Sequence, residues 1–444
     1  MNTRKKPGGL NRRNFLVKSA AAIAFPTIVP SSVFGQLRPS NRITMGIIGW
    51  GMQGPINTKS FLAEDDCRVI AACDLDTHHL KDAVDTINEH YQNKDCAVFH
   101  DYRELLARPD IDAVMLAVPD HWHALVATEA ARQKKDVYGE KPLAKTIAEQ
   151  QAIVRAVEQH NIIWQTGSWR RSRAVYHKAA EIVRNGLLGK LTRVEVGQLS
   201  GHIDFIAQFD GREPSYEVQK PPLELDYETW IGPSKMVPYI EARGHMNWRW
   251  NYNTGGGMLM DWIGHHCDIA HWGMGCDDSG PSEIEGTGTF PPAKEVFNTA
   301  TEYRVELKYP QDVHMTIAGT GDSDIQEGTK WIGTDGWLWV GEYGVEGSNP
   351  EWQKWKSVPE DLRKVKLYES TNHYRNFLDC VKSRKPTITP VQTAHHSSIP
   401  GHLGLISMLT KRKIRWDVEK EQIVGDAEAE KLLTREYRAP YRLG

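Results

Sequence analysis

No Cys-x-x-Cys pair occurs among the six cysteines of this 444-residue chain, so neither a zinc ribbon nor a dithiol redox motif is written in it. Cys67 and Cys73 fall on one predicted strand, about 20 Å apart at the usual rise, too far for a disulfide. Cys96, Cys267, Cys276 and Cys380 are equally scattered, and no required disulfide is expected. The body of the chain has no basic run, and 54 Lys+Arg against 57 Asp+Glu leave a net charge of −3. A nucleic-acid surface therefore has no electrostatic support. Apolar runs long enough to span a bilayer are also missing, and no stable membrane insertion is expected. Neither H-E-x-x-H nor a cysteine cluster is present, and no metal site is expected. What remains, 40% hydrophobic and 25% charged, is ordinary globular composition, with length for two or three domains.

Residues 1–35 read as an address rather than as fold. Asn11-Arg12-Arg13-Asn14-Phe15-Leu16 is a twin-arginine pattern, followed by Lys18, the apolar stretch Ala20–Val29 and a small-residue exit near Val33-Phe34-Gly35. Charge, apolar run and exit site come in the order of an export signal. Cleavage near Gly35 is expected, with the twin-arginine machinery as a partner and a periplasmic or secreted destination.

From Arg42 the pattern alternates short apolar runs with helical stretches. Strands are predicted at Ile43–Ile48, Cys67–Cys73, Ala113–Val118 and Val137–Tyr138, and helices at Leu80–His90, Ala124–Gln133 and Ile147–Gln159. Such alternation predicts parallel β/α units, a Rossmann domain over residues 36–165. After about Thr166 the strands become alternating: Thr192–Gln198, Thr301–Tyr309, Val313–Gly319, Lys330–Ile332 and Trp337–Val340, the last two around the hairpin signal Asp335-Gly336. Period-two strands predict a mostly antiparallel sheet with one face under helices, a second α+β domain over 166–444. Two helices, Asn372–Ser383 and Ile399–Thr410, are predicted near the end. The fold class is α/β.

Gly49-Trp50-Gly51-Met52-Gln53-Gly54 follows the first strand and opens a helix. Glycine there permits the tight turn, close approach of amides to a pyrophosphate, and close helix–strand packing. Asp74 lies twenty residues beyond Gly54, where a carboxylate accepts bonds from ribose hydroxyls and repels a 2′-phosphate. NAD is favoured over NADP. Pro119-Asp120-His121-Trp122-His123 ends the third strand on the ligand edge, so Pro119 and His123 are cofactor candidates. Asp120 reads equally as a cofactor contact or as a helix cap.

Glu140-Lys141-Pro142 follows the fourth strand, where a lysine can reach both nicotinamide and substrate. Gly255-Gly256-Gly257 then opens a helix on which Asp261, His265 and Asp268 share one stripe, while Leu259, Trp262, Ile263 and Ile269 form an apolar one. Three readings fit the polar stripe: a buried hydrogen-bonded network, a metal site, or a proton-transfer site. The last is preferred. His266 points toward the apolar stripe and reads as a satisfied core histidine. Trp164, Trp169, Trp248, Trp250 and Trp262 suit either the faces of pyranose rings or the core, and Arg170, Arg171 and Arg249 are candidates for hydroxyls or an acidic group.

These motifs together, with Gly186-Leu187-Leu188-Gly189-Lys190-Leu191, resemble the glucose–fructose oxidoreductase/inositol dehydrogenase (Gfo/Idh/MocA) family from about Arg42 to near the C-terminus. The resemblance implies a cis peptide before Pro142, an open second-domain sheet and homo-oligomers through that sheet. It also implies catalytic roles for Lys141, Asp261 and His265. On this reading His265 takes a hydroxyl proton from a sugar or polyol, Lys141 holds and polarises the alcohol, and Asp261 orients the imidazole. Glu140 joins the cofactor set; Trp248, Arg249, Arg170 and Arg171 join the substrate set. A redox-neutral NAD-using glycosidase or lyase is the main alternative, and a non-catalytic sugar-binding relative a third.

Overall fold

The structure, a computed structural model, describes residues 42–203, 211–292, 295–321 and 323–443. The twin-arginine pattern lies outside the described residues. Six strands, β1 (Ile43–Ile48), β2 (Cys67–Cys73), β3 (Ala97–Phe99), β4 (Ala113–Leu116), β5 (Asp136–Gly139) and β6 (Trp164–Thr166), form one sheet in the order β3-β2-β1-β4-β5-β6. Every pairing in it is parallel. The order reverses between β1 and β4, which opens a crevice at the carboxyl edge of the sheet. Helices α1 (Gln53–Leu62), α2 (Thr77–Tyr91), α3 (Asp120–Arg132) and α4 (Ile147–His160) connect the strands. Strands buried on both faces need near-continuous apolar runs, and β1, β2 and β4 have them.

Helix α5 (Ala174–Arg184) leads into a nine-stranded sheet ordered β13-β12-β11-β7-β10-β9-β8-β14-β15. Its strands are β7 (Leu191–Gln198), β8 (Glu283–Thr289), β9 (Glu302–Lys308), β10 (His314–Gly319), β11 (Gly328–Gly333), β12 (Trp337–Gly341), β13 (Gly344–Gly347), β14 (Ile414–Asp417) and β15 (Gln422–Ile423). The β7–β10 pair is parallel and the other pairs are antiparallel. The sheet is therefore mixed and open, and mostly antiparallel as the patterning predicts. In β9, Tyr303, Val305 and Leu307 are buried while Glu302, Arg304, Glu306 and Lys308 face out. Helix α6 (Gly257–Met274) and, further on, α8 (Val391–Thr410) cover the apolar face.

The chain then returns to its first half. Helix α7 (His373–Ser383) lays Phe377 and Leu378 into the apolar layer around Phe61 and Tyr138. Val391 and Ala394 of α8 join the layer on the other side of the parallel sheet. Tyr441 meets Trp122 edge-on at 5.4 Å. All six cysteines are free and buried. The Lys141–Pro142 peptide is cis, as the resemblance implies.

Candidate functional site

The glycine turn is dictated by close approach. Gly49 has φ +96°, and a Cβ there would lie 2.5 Å from the Ala117 carbonyl oxygen. A Cβ on Gly54 would lie 2.2 Å from the Gly49 carbonyl oxygen, so Gly54 packs the helix on the turn and does not line the cavity. Gly51 instead faces open space, with nothing within 4 Å of where a Cβ would stand. Helix α1 starts there without a side-chain cap. Its first amides are thus left for an anion, and the backbone of Gly51 is bare enough to receive a pyrophosphate. Gly49→Ala is expected to store about 1–3 kcal/mol of backbone strain. Titration with NAD+ should show binding weakened by about tenfold or more.

The turn borders a cavity of about 330 Å³ also lined by Asp74, Pro119, Asp120, Lys141, Trp248 and Arg249. Trp50, Met52, Glu140 and His123 reach its wall. Asp74, at the end of β2, accepts hydrogen bonds from the amides of Trp50 at 2.7 Å and Asp76 at 2.9 Å. That fixes its carboxylate in the ribose position of such a crevice, and burial pushes its carboxyl upward. Glu140 Oε1 accepts from Asn57 at 2.8 Å, and a side chain on Gly167 would collide with the carboxylate. His123 holds the neighbouring turns rather than offering a free ring edge. Its nitrogens lie 2.8 Å from the Pro142 carbonyl and 2.9 Å from that of Val118. Asp120 begins α3, but Pro119 occupies the cap position and no side-chain cap bond forms. Burial pushes the Asp120 carboxyl up to about 6, against the pull of His123 and Arg249. The turn, ribose carboxylate and cavity fit a dinucleotide.

Lys141 leaves β5 and meets α6. Its ammonium donates to the Asp261 carbonyl at 2.7 Å and to Asp261 Oδ1 at 3.1 Å. Arg249 Nε donates to the same Oδ1 at 2.9 Å, with its guanidinium 4.3 Å over the Trp248 ring. Burial would raise the Asp261 carboxyl, but Lys141 and Arg249 together pull it down to about 2. Gly264 makes this junction possible, because a Cβ there would lie 2.8 Å from Lys141 Cβ. Asp261 thus anchors two cations, which corrects the expectation that it orients the imidazole.

His265 stands one turn further along α6, edge-on to Trp262 at 5.3 Å and Trp169 at 6.2 Å. Its Nδ1 meets no hydrogen-bond partner among the described residues. Burial, then the charges of Lys141 and Arg170, hold its pKa well below the ordinary imidazole value. Arg170 lies over the faces of Trp262, Trp169 and Tyr176, and its Nε and Nη1 meet no acceptor among the described residues. His266 is buried as expected and stacks on Trp262, but it is not satisfied: neither ring nitrogen meets a hydrogen-bond partner among the described residues, and Glu327 Oε1 stands 3.7 Å from Nε2.

Two expected neighbours are elsewhere. Asp268 does not flank His265. Both its carboxylate oxygens accept from Arg171, at 2.8 Å each, and Asp277 takes the other edge of that guanidinium. Arg171 is 2% exposed and fully partnered, so the substrate role expected of it is replaced by a structural one. Trp164 and Trp250 are core residues, whereas Trp248 lines the cavity. Sequence reasoning missed Lys145, whose ammonium ties the Lys141 turn to the Gly255 carbonyl at 2.8 Å; burial lowers its pKa to about 8. It also missed Tyr441 in the cavity wall. Neither had a local signal, since both partners lie far along the chain.

Two family profiles match the chain. One, described as an oxidoreductase family NAD-binding Rossmann fold, covers residues 43–168. The other, the C-terminal alpha/beta domain of that oxidoreductase family, covers 173–443. A glycosyl hydrolase family 109 protein of Shewanella sp. strain ANA-3 is 33% identical over 215 residues, 43% of this chain and 46% of the relative. The chain spans about half the length of the curated relatives it matches. Among solved structures, the WlbA dehydrogenase of Bordetella pertussis, in complex with NADH and UDP-GlcNAcA, superposes with a TM-score of 0.64. It covers 85% of this chain and 98% of its own at 16% identity. The scyllo-inositol dehydrogenase of Lactobacillus casei, with NAD(H) and scyllo-inositol, gives 0.56 at 16% identity, covering 84% and 99%. At these identities the structures attest the fold.

Proposed function

Because the chain belongs to the Gfo/Idh/MocA oxidoreductase family, we propose that it is an exported NAD-dependent enzyme that oxidises or reduces a hydroxyl-bearing carbon of a sugar or polyol. The observation that carries this reading is the Lys141–Asp261 pair at 3.1 Å, which joins the end of β5 to α6 one turn before His265. Bound nicotinamide supplies the hydride acceptor or donor. The protein's own groups do the rest. Lys141 holds the alcohol oxygen and stabilises negative charge on it. His265, kept neutral by its surroundings, takes the hydroxyl proton. Asp261 fixes the ammonium by sharing it with Arg249. Trp169, Trp248, Arg170 and Arg249 supply the substrate side. Residues 36–165 carry the nucleotide and 166–444 the substrate contacts.

The twin-arginine pattern supports export with the nucleotide already bound, and the open sheet supports a homo-oligomer. The likeness to family 109 hydrolases favours one second reading, cleavage of a glycoside through a transient ketone without net redox change.

Denaturing the purified protein and identifying the released nucleotide, then screening sugars for a change in nicotinamide absorbance, tests the proposal. NAD and a sugar-dependent absorbance change are expected. Release of phenol from aryl glycosides with no added acceptor and no net reduction would favour the second reading. The pH profile adds a sharper check. A base must be neutral to accept a proton, and the His265 pKa is lowered. The acid limb of kcat/KM for alcohol oxidation is therefore expected well below pH 6.5. It should vanish from the residual activity of His265→Gln; a limb unchanged in that variant removes His265 as the base.

A further inference from the structure

Away from this site, three side chains converge where α8, α4 and the β14–β15 turn meet. His395 and His396 are consecutive on α8, and Glu421 sits in the turn before β15 with φ +49°. Glu421 Oε1 lies 2.8 Å from His395 Nε2 and 3.5 Å from His396 Nε2. One ligand atom from each of the three residues lies within 4.8 Å of the other two.

The far sides of the same groups are already engaged. His395 Nδ1 lies 3.0 Å from Gln150 Oε1, and His396 Nδ1 lies 2.9 Å from the Gln392 carbonyl. Gln151 Nε2 donates to the other carboxylate oxygen of Glu421 at 2.9 Å. An imidazole that gives its Nδ1–H to an oxygen keeps its lone pair on Nε2. Two lone pairs and one anionic oxygen then face a common point. Both His395 nitrogens face oxygens, Gln150 Oε1 at 3.0 Å and Glu421 Oε1 at 2.8 Å. A single cation satisfies all three groups at once.

Geometry and ligand type select the cation. A tetrahedral zinc ion with bonds of 2.0–2.1 Å sets its ligand atoms about 3.3 Å apart. The two separations from Glu421 bracket that value. Two imidazoles and one carboxylate suit zinc, whereas calcium and magnesium prefer oxygen alone. The side chains of His396 and Glu421 are 18% and 21% exposed, so the fourth position opens to water. We propose that His395, His396 and Glu421 bind a divalent transition-metal ion, zinc foremost, which clips the β14–β15 turn onto α8. This departs from the expectation of no metal, because consecutive histidines carry no ligand spacing until Glu421 arrives from a distant turn.

The test uses untagged full-length protein, stripped with chelator and titrated with Co2+ and then Zn2+. One Co2+ per chain is expected, with visible ligand-field bands that Zn2+ displaces. Glu421→Gln and His396→Gln should each weaken Zn2+ binding at least tenfold with unchanged far-ultraviolet circular dichroism. Gln151→Leu should weaken it about 10–100-fold. Absence of stoichiometric binding in the unaltered protein overturns the proposal. So does binding that neither variant weakens, which would point to the other group of this kind among the described residues, Asp76, His79 and His245 in the nucleotide cavity.

Discussion

Lys141→Met is expected to lower kcat/KM on a confirmed substrate by about 10²–10³-fold, the usual worth of a donor that stabilises charge developing on an oxygen. The structure makes this variant informative because it removes the ammonium without stranding its partner. Asp261 keeps Arg249 at 2.9 Å, so no bare carboxylate is left in the junction. Methionine matches the lysine stem in length and fills the contact with Gly264. Steady-state kinetics and nucleotide titration separate the outcomes. The loss should fall on turnover while NAD stays bound, and undiminished turnover would end the catalytic assignment of Lys141. Asp261→Asn is the harsher change, since two buried cations would then share a neutral group.

Arg171→Met is expected to cost about 3–5 kcal/mol of stability, because it leaves a buried charge without its partner. Asp268 is 1% exposed and receives both its close bonds from Arg171. In the variant the pull of Arg171 is gone, and burial with the neighbouring Asp277 carboxylate drives the Asp268 carboxyl, already above its ordinary value, further upward against the Ser397 hydroxyl. A group shifted this way contributes stability below the unfolded pKa and loses it as pH rises. The destabilisation should therefore be mildest in acid and largest near neutrality, which urea titrations at several pH values would show. Unchanged stability with a raised KM would restore Arg171 to the substrate.

The contrast between Arg170 and Arg171 shows where reading the sequence ran out. Adjacent arginines on a short turn look alike in one dimension, yet one lies among aromatic faces with Glu342 no closer than 3.7 Å, and the other is clamped between Asp268 and Asp277. Helical periodicity placed Asp261, His265 and Asp268 on one stripe, but the partners that claim the two carboxylates come from residues 141, 249 and 171. Long apolar runs such as Cys67–Cys73 were legible to the residue. The three-residue strands Ala97–Phe99 and Trp164–Thr166 were not, because so short a run has no measurable period and pairs only when its neighbours are in place. The glycine turn and Asp74 were legible because their chemistry is local.

The return of the chain to its first half closes the nucleotide cavity with residues remote from the glycine turn in sequence. Tyr441 forms part of the cavity wall, and Arg435 binds the His121 carbonyl at 2.7 Å and Glu149 at 2.7 Å. Tyr441 and the Arg435 contacts thus fasten one wall of the pocket. Grip on the dinucleotide is thereby coupled to a segment far from the glycine turn in sequence, and proteolytic loss of that segment is expected to loosen the nucleotide while leaving the turn itself folded.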